Sequence, residues 1–327
     1  MIKERINLWE EGEYRYSMSF GFVPNLVSYL HEEGEEIRPC MLVVPGGGYC
    51  VVSPTEGEIV AKKFYDKGYN AFVLTYTTNL LMKDPLKFQP LKDISRAIRL
   101  IRKNAESYRI HPDKLALCGF SAGGHLCASI CVHHEDIKED KEEYEGISNR
   151  PDAAILSYPV ISSGEMAHRD SFLALLGPDA TQEELEYMSL EKQVTKNTPP
   201  CFLWLTATDM SVPAENSYLF AEALRKQEIL YALHVFTEGH HGLSLADQRW
   251  ARGEFGEPYT MEQIHNIVDK VKSGDIILAD DAKANLLERF DKSEDSSSQE
   301  TRREQPNEEV AVWPELADKW LRKYIMA

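Results

Sequence analysis

One serine of this chain lies in a setting that suits a nucleophile. Ser121 stands in the run Gly119-Phe120-Ser121-Ala122-Gly123, which follows the apolar segment LALC and precedes a segment of helical character. Small residues around a serine allow a sharp turn from strand to helix that lifts the hydroxyl off the sheet. The first turn of the following helix favours negative charge nearby. The pattern therefore predicts that Ser121 attacks a carbonyl carbon in an acyl-transfer reaction.

A serine hydroxyl is a weak nucleophile, so it needs a general base, and the base needs an acid that orients it. The apolar segment CFLWLT runs into Asp209, and the segment ALHVF is followed by a short loop that contains His240 and His241. Hydrolases with the strand-turn-helix motif present the acid and then the histidine in this chain order. We predict Asp209 as the acid and His241 as the base, because the small Gly242 suits a loop that must reach Ser121. His240 is then a structural or substrate-side residue.

Acyl transfer creates an oxyanion, and hydrogen-bond donors must be in place to bind it. The first predicted strand ends in the run Val44-Pro45-Gly46-Gly47-Gly48-Tyr49. Glycines have no Cβ atom, so we expect the backbone N–H groups of Gly47 and Gly48, with that of Ala122, to form the oxyanion hole. A phosphate-binding loop is disfavoured because the run has neither the GxGxxG spacing nor a Walker lysine. A simple tight turn is the alternative.

Five segments carry a resemblance to a known family. They are PGGGY at 45–49, IHPDKLALCGFSAGGHL at 110–126, PDAAILSYPVIS at 151–162, TPPCFLWLTATDMSVPAENS at 198–217 and FTEGHHGLSLA at 236–246. Together they resemble the small bacterial esterases of the α/β-hydrolase superfamily, most of all the acetyl-xylan and feruloyl-type carbohydrate esterases related to the hormone-sensitive-lipase branch. The resemblance covers the chain from residue 35 to residue 250 and the last helix.

This resemblance implies an α/β-hydrolase fold in which Ser121, Asp209 and His241 form the catalytic triad. The chain departs from the family pattern in two places. Pro45 stands where many lipolytic relatives have the histidine of an HGGG motif, and the segment 250–310 is longer than the family leads us to expect.

The elements that must position these residues are indicated by the apolar pattern. Short apolar segments alternate with longer segments of helical period, which favours repeated β-α units and a mostly parallel sheet with helices on both faces. The predicted strands are 40–44, 71–76, 115–118, 153–158, 201–206 and 232–236. Residues 1–40 are expected to supply antiparallel edge strands.

Three helices can be predicted from spacing. An apolar stripe over 91–101 indicates one buried helix face. A second helix is predicted over 213–227, where proline stands at its start and Tyr218, Ala221 and Leu224 lie on one face. A third covers 312–324 and is expected to pack on the sheet.

The length of 327 residues suggests about two domains, but the motifs share one α/β pattern. We therefore predict a single catalytic domain over 1–327 with surface insertions at 133–150 and 250–310. The first insertion contains the acidic run EDIKEDKEEYE. The second ends in a Ser/Glu/Gln-rich run that buries too little apolar surface to offset its ordering entropy, so we expect disorder near 291–308.

The composition excludes several classes of protein. The chain is 43% hydrophobic and 27% charged, with 53 acidic and 36 basic residues and a formal net charge of -17. Fibrous and wholly disordered classes are excluded, and the acidic excess repels phosphate backbones and anionic lipids, so we expect no nucleic-acid or membrane partner. The chain starts without a signal-like apolar segment, which predicts a cytoplasmic protein. Its oligomeric state, including a homo-oligomer, stays open.

The six cysteines lie in apolar or glycine-rich surroundings without a CxxC pair, which is typical of reduced, buried thiols. Cys127, Cys131, His133 and His134 could suggest a metal site, but helix packing explains them better. We expect neither a metal nor an organic cofactor.

The predicted function is two-step serine ester hydrolysis of short acyl esters. Acetylated sugars or xylo-oligosaccharides are favoured as small-molecule substrates by resemblance alone. The alternatives are a feruloyl-type or general short-chain lipolytic esterase, an amidase or peptidase with the same triad, and a non-catalytic binding protein on a hydrolase scaffold.

Overall fold

The computed structural model describes residues 1–32, 34, 36–291 and 304–326. Its strands are β1 (Arg5–Asn7), β2 (Asn25–Tyr29), β3 (Arg38–Val44), β4 (Asn70–Thr75), β5 (Ile110–Phe120), β6 (Ala153–Ser157), β7 (Cys201–Thr206) and β8 (Tyr231–Phe236). They form one sheet in the order β1-β2-β4-β3-β5-β6-β7-β8.

Strands β3 to β8 pair in parallel, and β2 and β1 extend the sheet at one edge through antiparallel pairs. Leu42 of β3 lies in register with Phe72 on one side and Leu117 on the other. The predicted fold class is therefore confirmed, and the predicted edge strands are present. Strand β5 is longer than the predicted 115–118, because its polar start carries no apolar signal.

Ten α-helices occur in the described part of the chain. They are α1 (Glu58–Asp66), α2 (Gln89–Lys103), α3 (Ser121–His133), α4 (Arg169–Leu176), α5 (Gln182–Tyr187), α6 (Glu215–Lys226), α7 (Gln248–Ala251), α8 (Glu262–Ser273), α9 (Asp280–Phe290) and α10 (Trp313–Tyr324). Within the described ranges, none of them has both the length and the apolar character needed to cross a membrane.

The two faces of the sheet are covered by different helices. Leu42 and Val44 point into a core formed with α2 and α3, whereas Met41 and Val43 point into a second core with α1 and α10. This alternation follows from the period of two along a strand. Each large apolar side chain buried in this way stabilises the fold by about 1.5–3 kcal/mol. The sheet is thus held firmly between two apolar layers.

The predicted helix faces agree with the structure in part. The apolar stripe of α2 is buried, and α10 buries Trp313 and Trp320 against the sheet. The expectation for α6 was wrong at Tyr218, which is 42% exposed. The predicted Ala221 and Leu224 are buried together with Phe220, and Tyr218 lies about a third of a turn or more from Phe220 and Leu224.

The segment 250–310 contains more regular structure than its sequence pattern indicates. Helices α8 and α9 pack against each other through Ile267, Val271 and Leu286, and this small cluster contacts Leu80 and Leu81 after β4. The predicted disorder near 291–308 falls mainly on residues 292–303, which lie outside the described residues. At the end of this stretch, Asn307 bonds to the backbone oxygens of Ala246 and Glu238, beside the loop that follows β8.

The segment 133–150 lies on α2. Glu139 accepts two hydrogen bonds from the Arg96 guanidinium, at 2.6 and 2.8 Å, and Arg99 donates to the backbone oxygen of Ile147. A bidentate pair of this kind, 5% and 11% exposed at the two side chains, is stronger than an ordinary surface ion pair. The acidic excursion is therefore anchored to the helix beneath it.

Candidate active site

The turn at Ser121 is strained in the way that a serine elbow requires. Ser121 follows β5 directly and has a φ of 51°, a conformation that non-glycine residues rarely adopt. A Cβ on Gly119 would lie 2.5 Å from the backbone oxygen of Gly123, and a Cβ on Gly123 would lie 2.2 Å from that of Val44. Only glycine fits at both positions. The tight packing of β5, α3 and the end of β3 holds Ser121 in this conformation.

Three predicted site residues lie on one line of hydrogen bonds. His241 Nε2 is 2.8 Å from Ser121 Oγ, and His241 Nδ1 is 2.6 Å from Asp209 Oδ2. Asp209 follows β7 and His241 follows β8, so all three stand at the carboxyl ends of parallel strands, where loops of such sheets carry their sites. This geometry allows a proton to pass from the serine hydroxyl to the imidazole.

The surroundings of Asp209 keep it charged. Its Oδ1 accepts the backbone N–H groups of Ser211 and Val212 at 2.8 and 3.0 Å. Burial raises the pKa of the carboxyl, but the hydrogen bond and charge of His241 and the two amides outweigh burial and hold the pKa below its usual range. An ionised Asp209 accepts the Nδ1 proton of His241, which leaves Nε2 free to accept the proton of Ser121.

His240 points away from this line. Its side chain is 57% exposed, its Nδ1 lies 2.7 Å from the backbone oxygen of His241, and its Nε2 lies 3.4 Å from Glu304. Of the two adjacent histidines, His241 is therefore the one in contact with Ser121 and Asp209.

The glycine run after β3 lies against the serine. A Cβ on Gly46 would be 2.9 Å from the Cβ of Ser121, and Gly47 and Gly48 adopt positive φ angles of 118° and 64°. Ala122 lies in the first turn of α3, where backbone N–H groups have no acceptor within the helix. The three predicted oxyanion donors thus belong to segments that meet at Ser121, and their role stays a prediction.

Sequence reasoning missed three residues next to this line. Glu56 is buried and accepts the N–H of Gly46, and the Tyr158 ring lies 4.9 Å from the His241 ring. His168 caps α4, and its Cε1 lies 4.0 Å from the position of a Cβ on Gly48. Burial first, and then the nearby His241, lower the pKa of His168. The local sequence gives no signal for a buried acid at Glu56, because it reads SPTEGE over 53–58, with polar or small neighbours and a second acid at Glu58.

The cysteine and histidine group considered as a metal site serves packing. Cys127 and Cys131 are buried in α3, and His133 stacks on Tyr187 at 3.8 Å while its Nε2 contacts the backbone oxygen of Tyr187. Among the described residues there is no group of three or more His, Cys, Asp or Glu side chains that could hold a metal ion.

A strained serine elbow at the carboxyl edge of a mostly parallel sheet defines an α/β-hydrolase. Known proteins similar to the chain include carboxylic ester hydrolases, as the sequence predicted. The chain itself belongs to the BD-FAE family, which it matches over residues 26–224, more than half of its length. The resemblance stated from the motifs is thereby confirmed.

Three similar proteins are informative. The crystal structure of an acetyl ester-xyloside bifunctional hydrolase from Caldicellulosiruptor lactoaceticus is 40% identical, with a TM-score of 0.69, and the match covers 74% of this chain and 89% of that one. Endo-1,4-beta-xylanase B of Butyrivibrio fibrisolvens is 55% identical over 79% of this chain and 41% of its own length. An acetylxylan esterase of Xylanibacter ruminicola is 29% identical over 61% of this chain and 40% of its own length. The chain thus spans about two fifths of each of these two curated relatives.

Proposed function

We propose that the protein is a serine carboxylesterase that removes short acyl groups, foremost acetyl groups, from sugars or xylo-oligosaccharides. The observation that carries the proposal is the hydrogen-bonded line from Ser121 through His241 to Asp209. The substrate is supported by similarity to an acetyl ester-xyloside hydrolase and to an acetylxylan esterase. Acetylated sugars are neutral, so they are compatible with the acidic chain.

In the first step of the proposed mechanism, Ser121 Oγ attacks the ester carbonyl while His241 Nε2 takes the hydroxyl proton. Asp209 holds the imidazole in the required tautomer and stabilises the imidazolium that forms. The carbonyl oxygen becomes an oxyanion, and the N–H groups of Gly47, Gly48 and Ala122 are its expected donors. His241 then gives its proton to the leaving sugar hydroxyl, and an acetyl-serine is left.

In the second step, water replaces the sugar. His241 Nε2 takes a proton from the water as it attacks the acetyl-serine carbonyl, and a second oxyanion forms at the same donors. Collapse of this intermediate releases acetic acid, which then ionises in water, and the proton on His241 returns to Ser121 Oγ. The cycle uses no group beyond the residues of this chain and water.

The nucleophile is tested with an aryl acetate. We expect the unmodified protein to hydrolyse it and Ser121→Ala to lose at least about 10⁴-fold in kcat. Ser129→Ala is the matched control, because Ser129 lies in the same helix and donates its hydroxyl to the backbone oxygen of His125. Retained hydrolysis by Ser121→Ala would overturn the assignment.

The acyl preference is tested by comparing kcat/KM for acetyl, butyryl and feruloyl esters and for acetylated xylo-oligosaccharides. The proposal expects acetylated xylo-oligosaccharides to give the highest value. A faster reaction with feruloyl esters would instead support the feruloyl-type alternative, and cleavage of amides at comparable rates would support the amidase alternative.

A further inference from the structure

A buried carboxylate lies under the candidate active site without a role in the mechanism above. Glu56 ends a short 3₁₀ helix, Pro54–Glu56, and is 3% exposed. No lysine or arginine within the described residues forms an ion pair with it, and His241 is the base whose charge acts on it. Burying an ionised acid is costly unless hydrogen bonds or a cation compensate. Apolar packing alone therefore does not explain why an acid is buried at this position.

The two oxygens of Glu56 connect three segments of the site. Oε2 accepts the backbone N–H of Gly46 at 2.7 Å, and Oε1 accepts the Tyr158 hydroxyl at 2.7 Å. The Tyr158 oxygen in turn accepts the backbone N–H of Ser244 at 3.0 Å. One carboxylate thus links the glycine run after β3, the end of β6 and the loop that carries His241.

These contacts act on groups that the proposed reaction needs. Gly46 precedes the predicted oxyanion donors, and its backbone N–H is fixed by Glu56. Tyr158 has a positive φ of 37°, and its ring meets the His241 ring edge-on at 4.9 Å. The Ser244 amide lies three residues beyond His241. A charge on Glu56 therefore lies one aromatic ring away from the imidazole that becomes positive during acyl transfer.

We propose that Glu56 is a positioning residue of the esterase: its carboxylate orients the glycine run through Gly46 and the histidine loop through Tyr158, and its negative charge stabilises the imidazolium of His241. The proposal rests on the proposed function. It requires Glu56 to be ionised during the reaction. Both carboxylate oxygens accept hydrogen bonds, one from the Gly46 N–H and one from the Tyr158 hydroxyl, and protonation would turn one of these acceptors into a donor.

Opposing effects act on the pKa of Glu56. Burial raises the pKa of the carboxyl, and the hydrogen bonds from Tyr158 and the Gly46 amide lower it only in part. The other titratable groups facing Glu56 or His241 are Asp209 after β7, His168 at the start of α4, Tyr158 after β6, Tyr76 after β4 and Cys118 on β5. Burial raises the pKa values of both tyrosines and of the cysteine well above their usual range, so these three stay neutral.

The test compares Glu56→Gln with the unmodified protein on an aryl acetate. Glutamine keeps the size of the side chain and an acceptor for Gly46 but removes the charge. We expect kcat to fall about 10–100-fold, less than the loss of an oxyanion donor costs, with KM changed less than threefold. We also expect the acid limb of the kcat/KM profile to move down by about half a pH unit or more, since His241 loses a favourable negative charge.

Glu191→Gln is the matched control. Glu191 is a partly buried carboxylate that accepts the hydroxyls of Ser162 and Ser189, outside the line of hydrogen bonds at Ser121. Its replacement should leave kcat and the pH profile unchanged. A change in both variants alike would overturn the specific role of Glu56.

Two results with a folded Glu56→Gln would overturn the proposal: unchanged kcat and pH profile, or a lower kcat with an unmoved acid limb. If thermal unfolding shows that Glu56→Gln does not fold, the proposal is tested with Tyr158→Phe instead. This variant keeps the charge of Glu56 but removes a hydrogen bond that lowers the pKa of Glu56, so the acid limb of the kcat/KM profile should move to higher pH. An unmoved limb would contradict the proposal. Failure of the proposed function is distinct, because it would appear as an inactive unmodified protein or an active Ser121→Ala.

Discussion

In the proposed mechanism, one carboxylate sets the direction of proton transfer. Asp209 is held ionised by His241 and by two backbone amides, so the proton on His241 stays at Nδ1. Nε2 is then an acceptor, and it faces Ser121 Oγ at 2.8 Å. With the reverse tautomer, Nε2–H would donate to Ser121 Oγ and could not take its proton, and the Nδ1 lone pair would face the Asp209 carboxylate, which also only accepts. The electrostatics of Asp209 therefore decide whether Ser121 can be activated.

The two adjacent histidines should differ sharply in their effect on activity. We expect His241→Ala to lower kcat by about 10⁴-fold or more, because it removes the base in contact with Ser121. His240→Ala should change kcat by less than about threefold, because the side chain is exposed and contacts Glu304 and the His241 backbone. Steady-state kinetics on an aryl acetate measure both. The reverse order of effects would exchange the two assignments.

At the scale of elements, the elbow depends on close backbone packing between β3, β5 and α3. A Cβ at position 123 would lie 2.2 Å from the backbone oxygen of Val44 and 2.3 Å from that of Pro45. Backbone atoms in the middle of a sheet cannot move aside without disturbing their hydrogen bonds. The glycines of the motif thus allow β3, β5 and α3 to pack closely, in addition to allowing the sharp turn.

Gly123→Ala should therefore destabilise the protein by about 3 kcal/mol or more, since the added methyl overpacks against backbone. Gly146→Ala is the control: it has a φ of 74° but no atom within 4 Å of the added Cβ, so only conformational strain of about 1 kcal/mol applies. Urea unfolding of the two variants measures the difference. Equal free energies of unfolding would argue against the packing explanation.

Helix α8 is anchored to the loop after β4 by one buried side chain. Gln263 Oε1 accepts the N–H and the hydroxyl of Thr78, each at 3.0 Å, and its Nε2 donates to the Thr78 backbone oxygen at 2.8 Å. The next residue, Asn79, donates its backbone N–H to the oxygen of Tyr49, which ends the glycine run. The α8–α9 pair is thereby connected to the rim of the site.

We expect Gln263→Ala to lower the free energy of unfolding by about 3 kcal/mol, because it leaves buried polar groups of Thr78 without partners. Gln182→Ala is a suitable comparison: Gln182 is exposed, bonds to the Glu186 side chain, and should cost less than about 0.5 kcal/mol. Chemical unfolding followed by tryptophan fluorescence measures both. A cost for Gln263→Ala as small as that of Gln182→Ala would mean that α8 is not anchored there.

For the whole molecule, the acidic residues behind the net charge of -17 are most frequent in the two insertions. Both acidic insertions lie outside the β-α pattern that carries Ser121, Asp209 and His241. Glu139 in the first insertion is neutralised by Arg96, and Lys141 there contacts Glu13. Part of the acidity of the first insertion is thus offset by Arg96, which packs against it.

The stability of the whole molecule should depend on pH through His125. This side chain is fully buried, with Tyr49 at its Nδ1 and the Met188 backbone oxygen at its Nε2, and burial lowers its pKa from 6.5 to about 4. Between these two pH values the unfolded chain binds a proton that the folded protein does not. The free energy of unfolding therefore falls as the pH falls through this window, by about 3 kcal/mol from this group.

The contribution of His125 is isolated by comparing the unmodified protein with His125→Gln in urea unfolding at pH 7 and pH 4. The variant should lose about 3 kcal/mol less between the two pH values, although it is less stable at pH 7. His111→Gln, on the partly exposed start of β5, should behave like the unmodified protein. An equal pH dependence in all three proteins would contradict the prediction.

Much of the fold could be predicted because its signals are local. All six predicted strands are present within a few residues, since each is a short apolar run buried between helices. The serine turn was readable for the same reason: glycines, a strand and a helix follow one another in the chain. Helices α8 and α9 were missed because their apolar residues are sparse and are buried mainly against each other and the loop after β4.

The sequence by itself determined the order of strands along the chain, the strained turn at Ser121, and the placement of Asp209 and a histidine after later strands. Only the tertiary structure decided which of His240 and His241 meets Ser121, which lies 120 positions away, and that Glu56 meets Tyr158 across 102 positions. The physical reason is that local sequence patterns set the backbone conformation. The environment of a buried charge depends instead on residues far away in the chain, and their contacts cannot be predicted from local patterns. The turn at Ser121 can therefore be predicted from a local motif. The contacts of Glu56 with Gly46 and Tyr158 form only when distant segments of the chain pack together.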